Sequence, residues 1–188
     1  SAGHPGLMHI LRAADRKPTA WKNGGGLTWE VAAWPPGASL DDFEWRASIA
    51  EVSSGGPFSV FSGIDRVLTV LAGPGLELNF EGRAPIRLDA ASAPFAFAGD
   101  ACCDAVLIGG AVRDFNMMAR RGQWSVQVQR RQGPMTLHTH TDLTLILACS
   151  PIRIDAVDLE LDDVVLVEGT AEAGLAEGSV LLAELTRA

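Results

Sequence analysis

The sequence lacks the features that would place it in a membrane or direct it out of the cell. No apolar stretch approaches the roughly 20 residues that a membrane-spanning helix needs, so a transmembrane helix is excluded. No charged segment is followed by an apolar leader, and we therefore expect a cytoplasmic protein. Residues 1–7 resemble a remnant of cloning ahead of a natural start at Met8, and we leave them, with His4, out of the functional argument.

Positive charge is scarce as well. The chain carries 15 lysines and arginines against 23 acidic residues, a net charge of −8. Proteins that bind nucleic acids usually present a basic patch. The nearest approach to one is Arg120-Arg121 with Arg130-Arg131, which we interpret as a solvated edge. We expect neither a nucleic acid nor a membrane as a partner.

Cysteine and histidine are too few for an obvious metal or disulfide framework. The three cysteines, an odd number, form no CxxC pair and are interpreted as reduced, buried thiols. No histidine lies between His9 and His138. The sequence His138-Thr139-His140 would place both imidazoles on one strand face, as in many metal sites, but no glutamate follows to complete a triad. Asp142 is the alternative third ligand; we favour two surface histidines and predict no metal and no cofactor.

Glycine and proline are abundant, and they separate short apolar segments of strand length. The chain contains 20 glycines and 10 prolines. Residues 45–52, 76–80 and 125–129 alternate between apolar and polar side chains, which is typical of strands with one face buried. The single stretch that suggests a helix, residues 171–175, is short and contains Gly174. The pattern predicts an all-β sandwich or barrel.

A weak internal repeat suggests that the barrel is duplicated. Residues 66–78 align with residues 142–154, an interval suited to a duplicated small barrel and too long for a solenoid. Chance similarity between two apolar strands is the alternative explanation. If the repeat is real, its seam lies between Asp114 and Gly122.

Polar residues beside a triglycine segment form the first group of candidate site residues. The glycines of Trp21-Lys22-Asn23-Gly24-Gly25-Gly26 permit close approach of a ligand or of another strand, and they suit an ordinary turn equally well. A phosphate-binding loop is excluded because no Lys-Ser or Lys-Thr follows. The candidates in this segment are Asn23, Thr28 and Glu30.

Two further groups lie on predicted strands. Arg46 and Ser48 share one face of a strand, Arg66 begins another, and Asp114 and Asn116 share a face of a third. An arginine inside a barrel is costly unless it is paired, so an inward Arg46 or Arg66 would imply a carboxylate partner or an anionic ligand. Arginines that point to solvent, and a polar outer face, are the simpler arrangement.

Several of these segments, taken in order, resemble the HutD/Ves family of cupin-like proteins. The similarity runs from about Met8 to Arg121 and rests on a series of short motifs: Trp21-Lys22-Asn23-Gly24-Gly25-Gly26, Trp45-Arg46-Ala47-Ser48-Ile49, Gly56-Pro57-Phe58-Ser59, Gly63-Ile64-Asp65-Arg66, Phe97-Ala98-Gly99-Asp100 and Asp114-Phe115-Asn116. The resemblance implies an all-β, cupin-like double-stranded β-helix (an RmlC-like jelly roll) duplicated into two germin-like halves. We predict these halves at residues 8–115 and 116–188, packed as one compact unit.

The resemblance also implies a function. It links the chain to bacterial histidine utilisation, as a regulator that binds a pathway intermediate such as formylglutamate or urocanate, and it brings no established catalytic activity. It supports a metal-free pocket for a small anionic metabolite, in which arginines would bind carboxylates and polar side chains would set the orientation. The predicted ligand-binding residues are Asn23, Thr28, Glu30, Arg46, Ser48, Arg66, Asp114 and Asn116.

Two other functions stay open at this point. One is a metal-independent cupin enzyme, an isomerase or hydrolase of a small acidic metabolite, with Glu30 or Asp114 as the general base. The other is an interaction module in which some of the five tryptophans mark a partner surface, although core and pocket lining explain them more simply. The oligomeric state is equally open, with a homodimer as one expectation.

Overall fold

The computed structural model describes residues 8–188, and the prediction for residues 1–7 lies outside them. The described chain is built from strands and one short 3-10 helix (Ala13–Asp15). The strands are β1 (Met8–Leu11), β2 (Pro18–Ala20), β3 (Gly26–Trp34), β4 (Trp45–Val52), β5 (Gly56–Pro57), β6 (Ile64–Ala72), β7 (Leu76–Phe80), β8 (Ile86–Leu88), β9 (Phe95–Ala98), β10 (Cys103–Leu107), β11 (Val112–Arg120), β12 (Trp124–Thr139), β13 (Leu143–Ala148), β14 (Ile152–Ile154), β15 (Val157–Leu159), β16 (Val164–Glu168) and β17 (Ala171–Arg187). The all-β prediction is confirmed. None of the helical structure within residues 8–188 is long and apolar enough to cross a membrane.

Residues 171–175, the one stretch whose sequence suggested a helix, form a strand. They open β17, where Ala173 and Leu175 are buried and Glu172 and Gly174 are exposed. That period of two is the pattern of a strand, and Leu175 pairs with Ile154 on β14. Tertiary pairing has overridden a weak local preference for helix.

Packing divides the described chain into two units, of which the first comprises residues 17–124. Its larger sheet has the order β2-β3-β4-β11-β6-β9, and its smaller sheet has the order β5-β10-β7-β8. Leu68 and Val70 of the larger sheet belong to the same apolar cluster as Leu76, Leu78 and residues of β10 in the smaller sheet. The two sheets therefore pack face to face around one interior.

The second unit comprises residues 8–16 and 125–188. Its strands follow the order β1-β16-β13-β17-β14-β15, and β12 also pairs with β17. Its core is largely aliphatic, with Leu137, Ile146, Val165 and Leu182 among its members.

The strands matched by the sequence repeat have equivalent neighbours in the two units. β6 pairs with β9 and β11, as β13 pairs with β16 and β17, and each is followed by a hairpin, β7-β8 or β14-β15. The boundary between the packed units falls after Trp124 because β11 continues to Arg120 in the larger sheet. The division into halves at 8–115 and 116–188 stays a prediction.

Asp163 connects the segment around the 3-10 helix to the rest of the second unit. Its side chain, in a residue that is 2% exposed, accepts hydrogen bonds from the backbone N–H groups of Ala13 and Glu160 at 2.7 and 2.9 Å. The Arg12 guanidinium donates a third bond at 2.9 Å. Burial alone would raise the pKa of Asp163, but these three donors outweigh it and lower the pKa below its ordinary value.

Replacing Asp163 with asparagine should lower the free energy of unfolding by about 1–3 kcal/mol at pH 7, because buried donors lose a charged acceptor. Since the folded-state pKa of Asp163 is depressed, its stabilisation is present above the unfolded-state pKa of about 4 and is lost as pH falls below it. Urea denaturation at pH 7 and pH 3 measures both effects. Asp158→Asn is the control, since that side chain is exposed; equal stability of the two variants at pH 7 would contradict the prediction.

Candidate functional site

Seven of the eight predicted ligand-binding residues lie on one face of the larger sheet in the unit of residues 17–124. β11 lies between β4 and β6, and antiparallel register places residues of the three strands directly opposite one another. Side chains opposite one another in such a sheet project from the same face. The successive rows are Arg46-Met118-Arg66, Ser48-Asn116-Leu68 and Ala50-Asp114-Val70. On β3, Glu30 continues the second row opposite Ser48, and Thr28 continues the third opposite Ala50.

This face points into the barrel interior. Leu68 and Val70 alternate with Arg66 along β6 and contribute to the core that joins the two sheets. Arg66 is only 5% exposed. The alternative prediction, that the arginines point to solvent, is wrong for Arg66, because β6 places this residue on the core face.

Arg66 lies among three aromatic rings. Its Cζ atom is 5.6, 5.4 and 5.1 Å from the ring centroids of Phe58, Phe61 and Phe97. Contacts of this length with ring faces favour a cation. Burial lowers the pKa of Arg66 to about 10, although the charge of Asp114 opposes the shift, so the guanidinium is positively charged at neutral pH.

The hydrogen bonds of the Arg66 guanidinium engage both Nη atoms and leave Nε without an acceptor among residues 8–188. Nη1 donates to the Ser59 carbonyl oxygen at 3.2 Å, and Nη2 donates to Asn116 Oδ1 at 3.0 Å. Nε is buried and has no hydrogen-bond partner among residues 8–188. Buried donors are nearly always satisfied in folded proteins, so an orphaned Nε in a charged group points to an acceptor that the chain itself does not supply.

Asp114 and Asn116 extend the polar cluster inward. Asn116 Nδ2 donates to Asp114 Oδ1 at 3.3 Å, so the amide connects the carboxyl of Asp114 to the guanidinium of Arg66. Asp114 is 1% exposed. Burial raises the pKa of Asp114 to about 7, and Arg66 and Asn116 only partly oppose that shift.

Arg46 and Glu30 form the outer part of the cluster. Arg46 Nε donates to Glu30 Oε1 at 3.0 Å, and the two side chains are 14% and 49% exposed. Their charges compensate each other where solvent reaches them. The cluster thus has a neutralised pair at its rim and a single guanidinium within.

The triglycine motif forms a hairpin turn between β2 and β3. Asn23 Oδ1 accepts the backbone N–H of Gly25 at 2.8 Å, and Trp21 Nε1 donates to Thr28 Oγ1 at 2.7 Å. A Cβ at Gly26 would lie 2.5 Å from the Glu51 carbonyl oxygen and 3.1 Å from the Trp21 ring, so only glycine fits there. Asn23 thus shapes the turn and is the one predicted residue that is not on the inner face.

The residues that surround the Arg66 guanidinium were not predicted as site residues. Phe58 and Ser59 belong to one of the motifs that carried the family resemblance, and Phe97 belongs to another. Phe61 lies between two of these motifs, and Cys103 is a buried neighbour whose charge interaction with Arg66 helps to set the pKa of each. The signal in the sequence that could have identified these residues was the recurrence of phenylalanine around a single arginine.

The histidine pair belongs to the other unit. The rings of His138 and His140 stack with centroids 6.3 Å apart, and His138 Nδ1 is 3.4 Å from Glu172 Oε1 on β17. His138 and Glu172 are largely exposed. Within residues 8–188, no group of three or more histidine, cysteine or acidic side chains is arranged to hold a metal ion.

Replacing Asp114 with asparagine should remove a pH dependence of stability. Because the folded-state pKa of Asp114 is raised, the folded chain binds more protons than the unfolded chain between about pH 4 and pH 7, and wild-type stability falls as pH rises through that window. The wild type should therefore lose on the order of 2–4 kcal/mol relative to Asp114→Asn between pH 4.5 and pH 8. Urea denaturation of both proteins tests this; parallel stability profiles would refute it.

Comparison with known proteins identifies the family. The HutD family model matches residues 13–183. An uncharacterized 21.2 kDa protein from the hutC 3' region of Pseudomonas putida is 38% identical over 143 residues, or 76% of this chain and 74% of that protein. Protein Ves of Citrobacter koseri is 40% identical over 111 residues, which cover 58% of this chain and just over half of Ves (56%).

Solved structures support the same assignment. HutD from Pseudomonas fluorescens SBW25, obtained in a formate condition, superposes with a TM-score of 0.87 at 32% identity, over 97% of this chain and 100% of that chain. The cupin-like YhhW of Escherichia coli gives a TM-score of 0.67 over 95% of this chain and 97% of its own, at 10% identity, a likeness of fold alone. The predicted duplicated cupin-like double-stranded β-helix is thereby confirmed, and the chain belongs to the HutD family.

Proposed function

We propose that this protein binds a small carboxylate metabolite at Arg66, inside the barrel of residues 17–124, without a metal ion. The observation that carries the proposal is the buried, charged guanidinium whose Nε has no acceptor among residues 8–188. A ligand carboxylate supplies both the missing acceptor and a counter-charge. Arginine is well suited to this because its donors match the geometry of a carboxylate.

The surroundings of Arg66 favour an anionic ligand over a neutral one. Its two filled hydrogen bonds are to a carbonyl and an amide oxygen, which are neutral acceptors. Asp114 reaches it only through Asn116, not by a direct ion pair. A buried cation without a contacting anion carries a desolvation cost, which an incoming carboxylate would offset.

The rim pair offers a second contact to a longer ligand. Arg46 and Arg66 lie on the two strands that flank Met118, each directly opposite it. Their backbones are therefore two strand spacings, or roughly 10 Å, apart. A dicarboxylate could reach Arg66 with one end and compete with Glu30 for Arg46 with the other. Ser48 and Asn116 lie in the next row, where they would orient such a ligand by hydrogen bonds.

The ligands we propose are intermediates of histidine breakdown, formylglutamate or urocanate. The support is the family itself and the naming of a relative after the hutC 3' region. Formylglutamate carries two carboxylates, and urocanate carries one beside an imidazole. We propose that binding makes the protein a cytoplasmic regulator of histidine utilisation.

Calorimetric titration of chelator-treated protein with formylglutamate, urocanate and histidine tests the proposal. Wild type should bind at least one of them saturably, and Arg66→Met should weaken that binding about 30-fold or more, because a desolvated charge pair is lost. Methionine keeps the apolar stem among the phenyl rings. Arg153→Ala, which removes an exposed arginine of the other unit, should leave the affinity unchanged. Binding that persists in Arg66→Met would contradict the proposal.

A metal-independent enzyme is the second candidate, and Asp114 favours it. A buried carboxyl with a pKa of about 7 suits a general base at neutral pH. Glu30 is less suited because its side chain is half exposed and accepts a hydrogen bond from Arg46. If the protein turns over formylglutamate or urocanate, Asp114→Asn should lower kcat about 100-fold or more, while Glu30→Gln should have little effect. Wild-type turnover in Asp114→Asn would exclude this mechanism.

A further inference from the structure

The interior of the polar cluster holds one cation for one carboxyl. Arg66 and Asp114 are both buried on the inner face and are joined through the Asn116 amide. Arg46, the nearest other guanidinium of that face, is engaged by Glu30 at the rim. A ligand carboxylate at Arg66 therefore brings a second acidic group to an inner face on which, among residues 8–188, Arg66 is the one guanidinium without a paired carboxylate.

We infer that binding of a carboxylate at Arg66 is coupled to the uptake of one proton by Asp114, so that Asp114 sets the pH range over which the site holds its ligand. The inference rests on the proposed function. It goes further by giving a role in ligand release to a carboxyl that need not contact the ligand.

The coupling follows from charge and burial. Before binding, the positive charge of Arg66 favours ionised Asp114 through the intervening amide. Once a ligand anion occupies the guanidinium, that stabilisation is offset while the desolvation of Asp114 remains. Two acidic groups that share one buried cation cannot both ionise easily, and the pKa of one of them rises strongly. Binding of the ligand at Arg66 is then accompanied by protonation of Asp114.

The hydrogen bonds of the cluster allow Asp114 to change its protonation state in place. Asn116 donates from Nδ2 to Asp114 Oδ1, and either a carboxylate or the carbonyl oxygen of a neutral acid accepts this bond. The Asn116 amide can therefore keep its own Oδ1 directed at Arg66 Nη2 in both protonation states of Asp114. The guanidinium stays positioned for a ligand whether or not Asp114 carries a proton.

The other titratable or charged groups near this pair are Arg46 on β4, Glu30 on β3, Cys103 on β10 and Arg113 beside Asp114 on β11. Burial raises the pKa of the Cys103 thiol, which is therefore neutral at pH 7. The sequence of residues 17–124 contains no histidine. Burial already raises the pKa of Asp114 to about 7, so a further rise of that pKa on ligand binding alters the protonation of Asp114 at physiological pH.

The test is calorimetric titration with formylglutamate and with urocanate at pH 7.5 in phosphate and in Tris, whose ionisation enthalpies differ. The dependence of the binding enthalpy on the buffer gives the number of protons taken up, which we expect to lie between about 0.3 and 0.8 per ligand at this pH. Affinity should fall as pH rises from 6.5 to 8.5, by at most about tenfold per pH unit.

Two variants separate the inference from the function on which it rests. Asp114→Asn should bind with no proton uptake and with an affinity that does not change between pH 6.5 and pH 8.5, whereas Asp158→Asn, an exposed aspartate of the other unit, should behave as wild type. Wild-type binding without proton uptake, or uptake that persists in Asp114→Asn, would overturn the inference and leave the proposed function standing. Failure of wild type to bind either compound would overturn both.

Discussion

The polar cluster inside the unit of residues 17–124 is organised around the buried Arg66 guanidinium. A cation at 5% exposure has to be compensated, and the compensation comes from three phenyl rings, the Ser59 carbonyl and the Asn116 amide. These groups come from β9, β11 and the segment after β5, so the guanidinium on β6 contacts parts of the unit that are distant in sequence. None of them is an anion, and Nε has no acceptor among residues 8–188. The guanidinium thus organises the polar cluster and retains an N–H group without an acceptor.

The two units repeat a topology with different interiors. β6 with its following hairpin and β13 with its own have equivalent strand neighbours, yet the second unit has a largely aliphatic core, with residues such as Ile146 and Leu182. In the first unit the inner face carries Arg66, Asp114 and Asn116 among its apolar residues. A duplicated barrel can use one copy for stability and the other for chemistry, because the backbone hydrogen bonds that define the fold do not depend on which side chains fill it. We therefore propose that the function resides in the first unit.

Alternation in the sequence was enough to predict strands and the pairs Arg46-Ser48 and Asp114-Asn116 on shared faces, and the internal repeat predicted the duplication. Alternation could not predict which face is inward, because a shift of one residue reverses every assignment and β4 and β11 are buried on both faces. Ile49 and Phe115, on the face opposite the arginines, are as buried as the polar cluster, so hydrophobicity did not indicate which face is inward. The suggestion of a helix at residues 171–175 has a related cause, since the pairing that makes β17 a strand is distant in sequence. Asn23 was grouped with the site because its motif is distinctive, and the structure shows that the motif builds a turn.

Binding of a carboxylate to the Arg66 guanidinium through its unused Nε can be tested by NMR of protein labelled with 15N at arginine Nε. The signal of Arg66 is assigned by its loss in Arg66→Met, and formylglutamate and urocanate are titrated separately into the wild type. We predict a saturable shift of the Arg66 Nε–H signal to higher proton frequency, as a new hydrogen bond to a carboxylate forms. A compound that binds and leaves the Arg66 signal in place, while the signals of other arginines move, would contradict it.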